Sequence, residues 1–173
     1  MGTCDPVEHW GREADRKYGV RHNPLPTRSD LVALVAGTLA CVGRDIVIAE
    51  DRSVRLQAWA GAGDVAGCQF ALGAIERALR WDEQRFGRCY DLDVFNIVAA
   101  QDFTMGAMEN KGLNIFNARY ILADEQTATD ADYLGIESVS GHEYFHNWSG
   151  NRVTLRAWFQ LALKEGWTVR SEG

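Results

Sequence analysis

His142-Glu143-Tyr144-Phe145-His146 is an H-E-x-x-H run inside a segment, about Ala131 to Trp148, whose pattern predicts a helix. Two histidines four residues apart project from one helical face, one turn above the other. Both imidazoles then reach a single Zn²⁺ at about 2.0–2.1 Å. Glu143 follows His142 by one residue, so it points about 100° round the helix. It lies beside the metal rather than on it, placed to take a proton from the water the metal activates. A helix that merely happens to carry two histidines is the bland alternative, and a chance match in a chain of this size is of order 1%.

A catalytic zinc site needs a third protein ligand and one open position. Glu165 is the candidate. It follows His146 after 18 intervening residues and closes the next expected helix, about Leu155 to Lys164, which would fold back on the first. On spacing alone it is equally a solvated Glu at a helix end.

Outward from this run, the chain shows no internal repeat and no low-complexity segment. Leu31–Ala36 reads as a buried strand. Ile46–Ala49 and Ser53–Ala60 read as two strands around a turn. A helix is expected from about Gly67 to Phe86, with Phe70, Ala74, Ile75, Ala78, Leu79 and Phe86 as its inner stripe. Asp93–Ala100 is strand-like, a second extended region runs from Gly106 to Leu122, and Asp124–Asp130 is a polar loop. Strands first and helices last is an α+β pattern.

The 173 residues suffice for one domain with a buried core, and 46% hydrophobic with 24% charged residues excludes a disordered tail. A net charge of -6 without a Lys/Arg cluster argues against nucleic acid. The longest apolar stretch, Leu31–Val42, is too short to span a bilayer, which takes about 20 residues. The first residues are polar, with Asp5, Glu8 and Glu13, unlike a signal peptide. Pro6 breaks the myristoylation pattern that Gly2 would open. Cys4, Cys41, Cys68 and Cys89 form no C-x-x-C pair, so a thiolate zinc site is not expected and a reducing cytoplasm is.

Gly106-Ala107-Met108-Glu109-Asn110 resembles the G-A-M-E-N signature that precedes H-E-x-x-H in the aminopeptidase N family of zinc metallopeptidases, and the spacing to Glu165 matches that family's H-E-x-x-H-x18-E pattern. Asn147–Thr154, NWSGNRVT, and Met105–Asn117, MGAMENKGLNIFN, are similar to the bacterial branch. Weaker likeness reaches back through Trp81-Asp82-Glu83 and Tyr90–Asp93 to about Leu31. The resemblance implies a partial thermolysin-like zinc metallopeptidase domain, a mixed sheet followed by zinc-binding helices, over residues 51–173. It implies a remnant of an N-terminal β domain over 29–50, after an unmatched leader over 1–28, so the chain reads as a fragment truncated at its C-terminus.

The resemblance also implies one Zn²⁺ held by His142, His146 and Glu165, with Glu143 as general base and peptides with a free N-terminus as substrates. Glu109 takes the place of the carboxylate that holds the substrate's α-ammonium. Small Gly106 and Ala107 let an extended substrate backbone lie close, and Met105 lines the first side-chain pocket. Met108 and Tyr144 read as packing residues. The family's transition-state tyrosine has no counterpart in these residues, so weak activity is expected of the chain alone. Two other readings stay open: a non-catalytic zinc-binding fragment that needs a partner, and a thermolysin-like endopeptidase, which would have no use for an ammonium anchor.

Overall fold

A computed structural model describes residues 33–172. The sheet has five strands: β1 (Leu39–Val47), β2 (Ser53–Gly61), β3 (Val94–Ala100), β4 (Ala107–Met108) and β5 (Leu113–Asn117), in the order β1-β2-β3-β5-β4. β1 and β2 are antiparallel, with Ile46 opposite Val54. β3 runs parallel to both β2 and β5, and β4 closes antiparallel on β5 with Ala107 opposite Phe116. Helix α1 (Gln69–Phe86) makes the crossover from β2 to β3, as a parallel pair requires. Helices α2 (Asp130–Phe145) and α3 (Leu161–Glu172) follow the sheet. The expected α+β class holds.

The core forms on one face of the sheet. Alternate residues of β2, Val54, Leu56, Ala58 and Ala60, are fully buried and pack with Phe95, Ile97 and Phe116 against α1 and α2. α2 begins with a capping box, Thr129 accepting from the Asp132 N–H and Asp132 from the Thr129 N–H. α1 ends at Gly87, whose positive φ of 63° carries the chain out of the helix, its N–H donating to the Glu83 carbonyl.

Several expectations change. Ala33–Ala36 form no strand and Leu34 is 92% exposed, while Leu31 and Val32 lie outside the described residues. The strand starts at Leu39 instead, because pairing with β2 extends it through Gly43 and Arg44. The inner side of α1 is Ala71, Leu72, Ala74, Ile75, Leu79 and Asp82, whereas Phe86 is 50% exposed. The helix is covered by both the sheet and α2, and Asp82 turns inward to accept hydrogen bonds from Trp148 and Tyr144. The region 106–122 is strand only at β4 and β5, interrupted by a turn at Gly112 with φ 72° and ended by a 3-10 turn, Ala118–Tyr120. The last helix runs to Glu172, so Glu165 lies within it rather than closing it. The Gln160 side chain accepts from the Arg156 and Ala157 N–H groups and delays the start of α3 to Leu161.

Among the described residues, Cys41 is an exposed and Cys68 a buried free thiol. Among the described residues no helix is long and apolar enough to cross a membrane. The expected leader over 1–28 lies outside the described residues.

Candidate metal centre

His142 occupies the last turn of α2, and His146 directly follows the helix, keeping helical dihedrals and donating its N–H to the His142 carbonyl. The two rings therefore sit one turn apart, edge to face, with centroids 4.5 Å apart and planes at 90°. From α3, Glu165 places Oε2 3.2 Å from His142 Nε2 and 3.3 Å from His146 Nε2, and the two Nε2 atoms are 3.0 Å apart. Tetrahedral ligands at about 2.0–2.1 Å from one ion stand about 3.3–3.4 Å from each other. The three donors thus have the spacing of a metal's coordination face, and two imidazoles with one carboxylate suit a borderline ion such as zinc. Among the described residues these three are the group that could hold a metal.

The far nitrogen of His146 is held as a metal-ligating histidine's should be. Nδ1 lies 2.7 Å from the Ser149 carbonyl and 3.1 Å from Thr168 Oγ1. A ring N–H donating there leaves the Nε2 lone pair facing Glu165. Burial pushes the His146 pKa down, against the raising pull of the Ser149 hydrogen bond and the Glu109 charge, so the ring favours its neutral form. Glu143, beside His142 on α2, is buried. Tyr144 is buried on the opposite side, its hydroxyl donating to Asp82, which fits packing.

The loop after His146 is pinned to the sheet by a buried cluster. Asp91, just before β3, accepts from Lys111, Asn147 and Arg152. Burial raises Asp91, but the Lys111 and Arg152 charges outweigh it and hold its pKa below the usual value. Burial likewise pushes Lys111 down to about 8 despite Asp91. Asn147 adjoins His146, so this cluster ties the end of the histidine-bearing segment to the strands.

β4, at the end of the sheet, pairs only with β5 among the described strands. Gly106 stands immediately before it, its carbonyl accepting from the Asn117 N–H, and Ala107 is buried. Met105 is 51% exposed beside them, and Met108 is partly exposed rather than packed in the core. Glu109 follows β4, with its backbone carbonyl held by Asn151 Nδ2 at 2.9 Å. Its carboxylate forms an ion pair with Lys164, the residue before Glu165. Burial raises the Glu109 pKa, yet the Lys164 hydrogen bond and further contacts outweigh it, leaving Glu109 held below its ordinary value and ionised.

The structure therefore brings His142, His146 and Glu165 together, and brings Glu109 next to them through Lys164. Lys164 and Thr168 escaped the sequence reading. Lys164 directly precedes Glu165 on α3, and Thr168 follows it by three residues, a helical spacing that becomes visible only once the helix is known to pass Gly166.

A family model described as the peptidase family M1 domain matches residues 70–172, more than half of the chain. Aminopeptidase N of Caulobacter vibrioides is 51% identical over 174 aligned residues, which cover 100% of this chain and 20% of that protein. Aminopeptidase N of Escherichia coli is 48% identical, covering 98% of this chain and 18% of that protein. The crystal structure of Legionella pneumophila aminopeptidase A in complex with aspartic acid superposes with a TM-score of 0.76 at 33% identity, covering 79% of this chain and 16% of that one. The chain thus spans about a fifth of the length of these curated relatives. The family match runs from α1 through the histidine pair to the end of α3, and on that ground this chain belongs to peptidase family M1.

Proposed function

We propose that this chain carries the metal centre and amine-recognition strand of a zinc aminopeptidase. The observation that carries the reading is the convergence of His142, His146 and Glu165 with Glu109 one ion pair away. When bound, Zn²⁺ supplies Lewis-acid character that makes water a nucleophile near neutral pH. His142, His146 and Glu165 hold it. Glu143 accepts the proton of the attacking water and returns it to the leaving amine. Glu109 holds the substrate's α-ammonium by a charge-assisted contact. The outer edge of β4, unpaired among the described strands, takes the extended peptide backbone as an added strand beside Gly106 and Ala107, and Met105 lines the pocket for the first side chain. The names of the curated relatives support peptides with a free N-terminus as substrates.

The domain division at residue 50 is also a proposal; β1 and β2, on either side of it, share one sheet. Free Cys41 and Cys68 support a cytoplasmic location.

A second reading, a zinc-binding piece that acts only with a partner, is favoured by the apolar side chains around α3. Trp158, Phe159, Leu163 and Trp167 are all exposed, and faces of this kind bind other protein surfaces. On this view the chain alone turns over slowly. The test is to assay the zinc-loaded chain, alone and joined to the remaining sequence of the Caulobacter relative, on an alanyl peptide and its N-acetylated form. An aminopeptidase cleaves only the free-amine peptide. Equal cleavage of both would favour the endopeptidase. Activity only in the joined form would support the second reading.

A further inference from the structure

Glu165 offers its two carboxylate oxygens to different partners. Oε2 faces the histidines, while Oε1 lies 3.2 Å from Lys164 Nζ. The same ammonium pairs with Glu109 Oε1. Lys164 and Glu109 each keep only 13% of their side-chain exposure, so solvent screens the pair poorly. The lysine stem is confined as well. Gly150 has φ +143°, and a Cβ there would stand 3.3 Å from Lys164 Cδ and 3.3 Å from His146 Nδ1. A surface lysine ordinarily extends its ammonium into water. This one is turned inward between carboxylates from two separate segments, and occupies the contact that a substrate's ammonium would make.

We infer that Lys164 is a shared counter-ion that couples the metal ligand Glu165 to the amine anchor Glu109. The inference rests on the metal reading above. With the Glu109 carboxylate available, Lys164 divides its charge between the two and leaves Glu165 Oε2 to the histidine side. When Glu109 is neutralised or engaged by another ammonium, Lys164 leans on Glu165 and competes for it. Such coupling is reciprocal: metal binding at Glu165 pushes Lys164 toward Glu109, and a peptide amine must displace it. Lys164 is a positioning residue in this account, acting through the two carboxylates.

The test is a double-mutant cycle on the whole chain, read as Co²⁺ affinity from the visible absorption of the bound ion. Glu109→Gln in the otherwise unchanged chain should weaken Co²⁺ binding about fivefold or more. In a Lys164→Met background the same change should alter affinity by less than about twofold, and in Lys164→Arg, which keeps a cation, the full effect should return. An equal effect of Glu109→Gln in all backgrounds would overturn the inference. So would loss of Co²⁺ binding in both Lys164→Met and Lys164→Gln, which would make the lysine a scaffold and not a competing cation. If the unsubstituted chain binds no Co²⁺, the metal reading itself fails and this inference falls with it.

Discussion

Thr168 Oγ1 lies 3.1 Å from His146 Nδ1, on the side of the ring away from Glu165. Thr168 is fully buried, three residues after Glu165 on α3, and its hydroxyl also meets Ser149 Oγ at 2.6 Å and donates to the Lys164 carbonyl at 3.0 Å. One helix therefore supplies both a candidate ligand and the group that orients another. Thr168→Val keeps the shape and removes the acceptor. It should weaken zinc binding about 10- to 100-fold, the usual effect of losing such a supporting contact. Competition with a chelator measures it, and unchanged affinity would show that the Ser149 carbonyl alone orients the ring.

Glu143→Gln should retain zinc and lose turnover by roughly 10²- to 10⁴-fold in any form of the protein with activity. The side chain is buried beside His142 and stands outside the group of three donors. Metal content and rate measured on the same sample decide this. Loss of the metal together with the rate would make Glu143 a ligand or a structural support.

Asp82 governs a pH dependence of stability. Burial pushes its pKa up to about 7, against the lowering effect of hydrogen bonds from Trp148 and Tyr144. Its folded value lies above its unfolded one, near 4, so its stabilising contribution is complete below about pH 4 and is lost as pH rises through about 7. The loss is at most on the order of 4 kcal/mol at 1.36 kcal/mol per unit. Asp82→Asn cannot ionise, so its melting temperature should fall less than that of the unsubstituted chain between pH 5 and pH 8. Parallel profiles would show that Asp82 does not titrate in this window.

The histidine pair was legible because its geometry is local: a four-residue spacing on a helix needs nothing from the rest of the chain. Glu165 is a long-range partner, and spacing alone left it open until the resemblance to a family supplied the pattern. Thr168 was hidden because the expected helix stops near Lys164, whereas α3 continues to Glu172 and brings Thr168 onto His146; Lys164 lies inside the expected helix, where a lysine reads as a solvated side chain. Asp82 was hidden for a different reason. Hydrophobic periodicity assigns charge to the outside of a helix, and only the fold reveals Trp148 and Tyr144 as buried donors that require an acceptor. The parallel pairing of β3 with β2 and β5 is likewise non-local and leaves no mark in any one segment.

A single zinc site on His142, His146 and Glu165 is decided by the metal content per chain. The purified 173-residue chain, loaded with zinc and freed of excess by gel filtration, should carry about one ion through its three protein ligands. His146→Ala should carry none, and Glu165→Ala should lose its ion at chelator concentrations that the unsubstituted chain withstands. Full occupancy in His146→Ala would rule out this site, because the donor most buried and most firmly oriented in the structure would then be irrelevant to the metal.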